Sequence, residues 1–254
     1  MTSRERSYST EAIVIDKRSY GEADRILIVF TPHYGRLDVI AKGASKTKSR
    51  SGPYLDLCSW VNLELATGRD LDVVRSVTPV RVFNNLATEL NRCCHASYLV
   101  ELVKALTQVD EPHKGIFEIL SRSLVLLEDG IDPWLVTRHF EMAVLSELGY
   151  RPQLFACVGC NEAISAQTNA FSYTLGGLLC PNCRDIDPSA TPLSVNAQKY
   201  LRLMQREGLA AIARVSPSPA ERAEIEHVTE MYVRFVSDRE IRSLRTLRAL
   251  YQGN

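Results

Sequence analysis

The sequence predicts an α+β protein, in which a small β-barrel or sandwich is followed by an α-helical region carrying a four-cysteine site. Three observations support this prediction. Residues 11–81 contain five short strand-like segments and almost no helical periodicity. Helical spacing begins after Pro79, and two Cys-x-x-Cys pairs stand between later helical segments. The change of pattern near residue 81 marks the expected domain boundary.

The strand candidates follow one another closely, at residues 12–17, 25–31, 37–41, 60–66 and 71–77. Residues 25–31 form an apolar run rich in β-branched side chains, which is typical of a strand buried on both faces. Residues 60–66 and 71–77 alternate apolar with polar side chains across the turn 67–70, as paired strands do. Such a set favours a small barrel or sandwich. The OB-fold is the attractive member, because its open face and loops commonly hold single-stranded nucleic acid.

A basic loop follows the third strand. Lys42, Lys46, Lys48 and Arg50 are separated by small residues, with no carboxylate among them. The whole chain has 30 basic and 30 acidic residues, so any attraction for a polyanion must come from such local segregation. A loop that buries little can contact phosphates. We predict DNA contacts at these four positions, and the predicted set also includes Arg36 and Arg69.

Helical patterns occupy most of the chain after Pro79. Helices are predicted from residue 84, with Asn84 and Asn85 as candidate caps, over 116–128, and from Pro133 to Gly149. Two more follow Ser194 and Ser218, and the last has a predicted core-facing stripe of Ile225, Val228, Tyr232 and Phe235. The isolated cysteines are expected to be small buried residues, namely Cys58, Cys93 and Cys94.

The strongest local signal is a pair of cysteine knuckles. Cys157 and Cys160 are followed by nineteen residues and then by Cys180 and Cys183. Each Cys-x-x-Cys can turn both thiolates towards one tetrahedral ion, so the spacing predicts a zinc ribbon. Four protein thiolates leave no open coordination position. We therefore expect one structural Zn²⁺ per chain and no catalytic metal.

Composition and the absence of several motifs further limit the classes of protein to which the chain can belong. No apolar run approaches the roughly 18 residues that span a bilayer, and the N-terminal segment lacks a signal-peptide core, which favours the cytoplasm. The sequence has no GxxxxGK[ST], GxGxxG, HExxH or GxSxG motif. The close acidic pairs, Glu22 with Asp24 and Asp70 with Asp72, are typical of turns and strand edges. These features favour a binding protein over an enzyme.

The chain resembles the RecO family of bacterial recombination mediators over nearly its whole length. The segment EAIVIDKRSYGEADRILIVFTPHYGRLDVIAKGASKTKSRSG resembles the family signature of strand, Tyr-Gly-Glu-x-Asp, strand, Gly, strand, Ala-Lys-Gly and basic loop. FEMAVLSELGYRPQL and GGLLCPNC are similar to the family's central helices and ribbon knuckle. The tail IRSLRTLRAL is more arginine-rich than the family's usual Leu-Lys-Ser-Arg form.

This resemblance implies an OB-fold domain at 1–81 and an α-helical domain at 82–254, with a zinc ribbon inserted at 155–185. It also implies a nucleoid-associated, non-catalytic DNA repair protein that binds single- and double-stranded DNA and anneals complementary strands. With RecR, such a protein loads RecA onto DNA coated by single-stranded-DNA-binding protein. The C-terminal tail of that coating protein is an expected partner.

One alternative is a zinc-ribbon accessory protein of transcription or translation, which would use the ribbon itself on nucleic acid. Residues 158–183 contain no lysine or arginine and a single acid, Glu162. The ribbon therefore offers little to a phosphate backbone.

Overall fold

The computed structural model describes residues 6–252, and residues 1–5, part of the N-terminal segment considered above, lie outside it. Within that range the chain forms two compact units. The first comprises the described parts of Met1–Pro133 and Ile241–Asn254, and the second comprises Trp134–Glu240. No helix in the described range is both long and apolar enough to cross a membrane.

Five strands of the first unit close into a barrel. They are β1 (Ser7–Tyr20), β2 (Asp24–Thr31), β3 (Gly35–Ala41), β4 (Trp60–Ala66) and β5 (Asp72–Arg81). Their order is β1-β2-β3-β5-β4, and β1 pairs with β4 to close the ring. The neighbours are antiparallel except β3 and β5, which are parallel. This five-stranded closed barrel confirms the predicted OB-fold.

Strand β1 is long enough to pair with two different strands of the barrel. Its first half, Ser7 to Ile13, pairs with β4, and its second half, Ile13 to Tyr20, pairs with β2. The register shifts between Val14 and Asp16, where a β-bulge bends the strand from one partner to the other. The interior is filled by alternate apolar side chains, including Val14, Leu27, Val39 and Leu63.

The observed strands extend beyond several predicted ones. β1 runs from Ser7 to Tyr20, where the sequence predicted 12–17, and β5 continues to Arg81, where it predicted an end at 77. The added residues are mostly exposed, so they lack the apolar alternation used for prediction. Backbone hydrogen bonds to neighbouring strands order them instead.

Three helices follow the barrel in the first unit: α1 (Asn85–Thr88), α2 (Leu90–Leu106) and α3 (Lys114–Glu128). The predicted single helix from residue 84 is broken at Glu89, whose backbone is extended. The predicted side-chain cap at Asn84 was wrong. The carboxylate of Glu128 instead accepts hydrogen bonds from the N–H groups of Asn84, Asn85 and Leu86 at 3.0–3.1 Å.

The chain returns to the first unit in α8 (Ser243–Gln252), which packs on α2. Ile241, Leu244 and Leu247 are buried there. The carboxylate of Glu101 on α2 accepts hydrogen bonds from the backbone N–H groups of Arg242 and Ser243 at 2.9 and 2.8 Å. A carboxylate at this helix start satisfies otherwise unpaired donors and favours the helix dipole.

The second unit contains four helices and a small three-stranded sheet. The helices are α4 (Pro133–Glu147), α5 (Val195–Arg206), α6 (Leu209–Ile212) and α7 (Pro219–Ser237). The strands β6 (Asn169–Ser172), β7 (Gly177–Leu179) and β8 (Thr191–Leu193) form an antiparallel sheet in the order β7-β6-β8. The predicted capping box of Ser218 and Glu221 is confirmed. Ser194 also caps α5 as predicted.

Two burial predictions were wrong. Phe235 is 51% exposed, because it lies in the last turns of α7 and lines an open groove. Cys93 is also exposed, since it faces solvent from the first turn of α2. Cys58 and Cys94 are buried as predicted, and burial raises the pKa of both thiols.

Candidate metal site and nucleic-acid interface

The two cysteine knuckles converge in the second unit. The Sγ atoms of Cys157, Cys160, Cys180 and Cys183 all lie within 4.8 Å of one another. The first knuckle is a loop beside β7, while the second begins after β7 and continues into a 3₁₀ turn, Pro181–Ile186. All four are free thiols rather than disulfides. The cluster can therefore hold a metal ion.

The spacing of the sulfur atoms fits a tetrahedral ion. The Sγ atoms of Cys160 and Cys180 are 3.9 Å apart. Zinc–sulfur bonds of about 2.3 Å give a tetrahedron whose edges are about 3.8 Å. Cys160 and Cys180 thus already have the separation that one central ion requires, and the other sulfur atoms lie within 4.8 Å.

Local electrostatics make the four thiols unequal. Burial opposes ionisation of Cys157, but N–H groups of Cys180, Cys160 and Gly159 outweigh it and lower its pKa to about 6. The hydrogen bond with Cys180, followed by desolvation, raises the pKa of Cys183 to about 12. One thiolate therefore forms easily, whereas a full set of four requires a cation to offset their repulsion.

A glycine allows the knuckles to approach so closely. A Cβ on Gly159 would lie 2.9 Å from Cβ of Cys183 and 2.7 Å from Cδ1 of Ile186. Any side chain at this position would push the second knuckle away. The Cys-x-Gly-Cys order of the first knuckle therefore sets the size of the metal site.

The predicted basic loop is exposed and anchored at its base. Lys42, Lys46, Lys48 and Arg50 all lie on the surface. The N–H of Gly43 donates to Oδ1 of Asp24 at 2.8 Å, and the N–H of Ser45 donates to the carbonyl of Ala23 at 2.9 Å. These bonds fasten the loop to the turn between β1 and β2.

The other two predicted DNA contacts differ from each other. Arg69 is exposed in the turn between β4 and β5. Nη1 of Arg36 donates to the carbonyls of Lys104 and Thr107, at 2.6 and 2.9 Å, at the end of α2. Arg36 thus satisfies helix-terminal carbonyls, a role that its sequence position did not indicate. Contact of either arginine with DNA stays a prediction.

Two acidic residues of the barrel, Asp24 and Asp72, hold turns. Asp24 binds the N–H of Gly43, as described above. Asp72 accepts a hydrogen bond from the N–H of Gly68 at 3.1 Å and from the hydroxyl of Tyr8 at 2.5 Å.

Arg18 is a further exposed cation of the barrel. It lies on β1, beside the end of the barrel that carries the basic loop. Nothing in the local pattern around Arg18 had indicated that position, because it depends on strand pairing.

Two family profiles match the chain in order. The profile described as Recombination protein O N terminal matches residues 4–83 and covers the barrel. The profile described as Recombination protein O C terminal matches residues 87–245. The chain belongs to the RecO family. Membership supports a role as a recombination mediator in DNA repair.

Curated relatives agree with the RecO profiles over nearly the full chain. DNA repair protein RecO of Roseiflexus sp. is 40% identical over 96% of this chain and 86% of its own length. The Dehalococcoides mccartyi protein of the same name is 33% identical over 97% of both chains. That of Symbiobacterium thermophilum is 34% identical, covering 95% of this chain and 98% of its own.

Proposed function

We propose that this RecO-family chain is a non-catalytic mediator that anneals complementary DNA strands and, with RecR, loads RecA onto DNA coated by single-stranded-DNA-binding protein. The observation that carries the DNA-binding part is the exposed basic loop at residues 42–50. It contains four cations and no carboxylate, and it is anchored at the end of an OB barrel. Membership of the RecO family is the support for proposing RecR, RecA and the coating protein as partners, and for proposing a place at the nucleoid in the cytoplasm.

The loop can promote annealing by electrostatics alone. Two approaching strands repel each other through their phosphates, and lysine or arginine side chains reduce that repulsion by neutralising phosphate charge. Base pairing then selects the partner strand. The protein has no need to recognise a base sequence in this step.

Two observations support a non-catalytic role for the protein. Asp24 and Asp72, one from each close acidic pair of the barrel, accept hydrogen bonds from backbone N–H groups and thereby hold turns. The four-cysteine cluster supplies four thiolate ligands, which complete a tetrahedral shell. We propose that its ion is Zn²⁺ and that it holds the ribbon together.

A groove in the second unit suits the acidic, apolar-ended tail of single-stranded-DNA-binding protein. Its volume is about 430 Å³. Apolar and basic side chains together line it: Tyr173, Met231, Arg234, Phe235 and Arg239. Asp238 and Glu240 share the lining, so burial of the apolar end contributes more than net charge. Exposed Phe235 is the side chain that a bound tail would cover.

Strand annealing is the direct test of the proposed function. Complementary labelled oligonucleotides, bare or coated with single-stranded-DNA-binding protein, would be mixed with the protein in the presence and absence of RecR. We expect accelerated duplex formation and no shortened product. Absence of both DNA binding and annealing would overturn the proposal, and cation-dependent cleavage of the label would replace it with a nuclease.

Charge reversal in the loop should weaken DNA binding. In the triple variant Lys46→Glu, Lys48→Glu and Arg50→Glu, the loss of three phosphate contacts lowers the salt-dependence slope for single strands by about 2. Fluorescence anisotropy at several salt concentrations measures both affinity and slope.

The matched control reverses three exposed cations elsewhere, in the variant Lys114→Glu, Lys199→Glu and Arg214→Glu. It has the same net charge as the loop variant. Equal weakening in both variants would show a general charge effect and would refute the assignment to the loop.

A further inference from the structure

Two tyrosines beside the basic loop have exposed rings. Tyr20 is 54% exposed and Tyr54 is 39% exposed. In the described part of the chain, neither side chain has a hydrogen-bond or ring partner. Tyr8 and Tyr34 of the same barrel, by contrast, pack with ring centroids 4.8 Å apart. Exposed aromatic rings at a basic surface therefore need a reason other than packing.

Strand pairing places Tyr20 close to the start of the loop. Ser19, Arg25 and Ala41 lie side by side across β1, β2 and β3. Tyr20 and Lys42 are the residues that follow Ser19 and Ala41, so their Cα atoms are two strand spacings apart, about 10 Å. A single bound strand can reach both side chains at once.

Tyr54 lies at the other end of the loop. It ends the 3₁₀ turn Gly52–Tyr54, which begins two residues after the last cation of the loop, Arg50. A Cβ on Gly52 would lie 2.3 Å from the carbonyl of Ala44, so this turn packs against the loop backbone. Nη1 of Arg25 also donates to the carbonyl of Gly52 at 3.4 Å. The loop thus has one exposed tyrosine near each end.

Cations and aromatic rings select different features of DNA. Lysine and arginine bind phosphates of single strands and duplexes alike, whereas a ring stacks on a base face that is uncovered. We propose, building on the DNA-binding role proposed above, that Tyr20 and Tyr54 stack on unpaired bases of the strand whose phosphates the loop holds. They make this surface selective for single strands.

This arrangement also explains how an annealed product would leave. Once two strands pair, their base faces are covered by neighbouring pairs, and the tyrosines lose their contacts. The loop retains its phosphate contacts with the duplex, but these are weakened by salt. The duplex is therefore held less tightly than the strand from which it formed.

The test compares three probes of equal length: a dT oligonucleotide, a fully abasic strand and a duplex. The wild-type protein should bind the dT strand at least about thirtyfold more tightly than the abasic strand, since two stacked bases each add affinity. In Tyr20→Ala with Tyr54→Ala, binding to dT should fall to the abasic level. Binding to the abasic strand and the duplex should be unchanged.

Two further variants separate stacking from folding. Tyr20→Trp with Tyr54→Trp should restore the preference for dT over the abasic strand. Tyr150→Ala removes a 50% exposed tyrosine from the second unit and should leave the preference intact. Equal dT affinity of the double alanine variant and the wild type would overturn the proposal, as would equal losses on all three probes.

The loop variant distinguishes this proposal from the one it builds on. If the tyrosine variant binds like the wild type while loop charge reversal still weakens all three probes, stacking is wrong and the DNA-binding loop stands. If neither variant changes binding, both proposals fail.

Discussion

Replacing Cys157 and Cys160 together with serine should reduce bound zinc from about one ion per chain to none. The variant loses half of the four sulfur atoms that lie within 4.8 Å of one another. Two cysteines cannot complete the tetrahedral shell, and the metal-binding free energy that contributes to folding, on the order of 10 kcal/mol in small zinc domains, is lost. Elemental analysis measures the metal, and thermal unfolding measures the destabilisation.

Cys93→Ser is the matched control, because Cys93 is an exposed free thiol outside the cluster. It should keep both the metal and the unfolding temperature. Substitution with Co²⁺ adds an independent readout, since tetrahedral thiolate coordination gives a characteristic absorption spectrum. A wild-type protein that takes up neither ion, or a double serine variant that retains zinc, would contradict the assignment.

The second large effect is expected at a buried ionic cluster in the second unit. Arg138 is 2% exposed and lies between Glu141, with Nη2 to Oε1 at 2.9 Å, and Glu230, with Nη1 to Oε1 at 3.9 Å. Nη1 also donates to Oγ1 of Thr229 at 2.9 Å. Burial raises the pKa of nearby Glu226 although Arg138 opposes the rise. One guanidinium thus balances several buried carboxylates.

Arg138→Met should destabilise the protein by about 3–5 kcal/mol at pH 7, because it leaves buried carboxylates without their cation. Acidification neutralises such carboxylates, so the loss should shrink as the pH falls towards the usual carboxylate pKa of about 4. Urea unfolding at pH 7 and pH 5 measures both effects.

A compensating change provides the control for charge. The double variant Arg138→Met with Glu141→Leu also removes one of the buried carboxylates that lost their cation. Part of the lost stability should therefore return. Arg214→Met replaces an exposed arginine in the same unit and should change stability by less than about 0.5 kcal/mol. Equal stability of Arg138→Met and the wild type would show that the cluster adds no net stabilisation.

Local patterns predicted the parts of the fold that depend on neighbouring residues. Alternation identified strands such as β4, with its bounds of Trp60–Ala66. The box of Ser218 and Glu221 marked the start of α7 because both partners lie within one turn. Two Cys-x-x-Cys pairs predicted the thiol cluster, since each knuckle is a short turn and the pairing follows from ligand number.

Burial at the ends of elements was harder to predict. Phe235 continues the apolar spacing of α7 but is exposed, and Cys93 precedes a buried neighbour but faces solvent. Periodicity identifies the side of a helix, whereas burial also requires another element to cover that side. Local sequence does not indicate how far along a helix another element packs against it.

The sequence by itself determined the strand and helix types, the four cysteines that can hold a metal ion and the basic composition of residues 42–50. Tertiary structure alone decided the parallel pairing of β3 with β5, the engagement of Arg36 with carbonyls of α2, and the docking of α8 through Glu101. It also decided that Tyr20 lies beside the loop. These contacts join residues far apart in the chain, and their geometry depends on packing of the whole unit rather than on any local pattern.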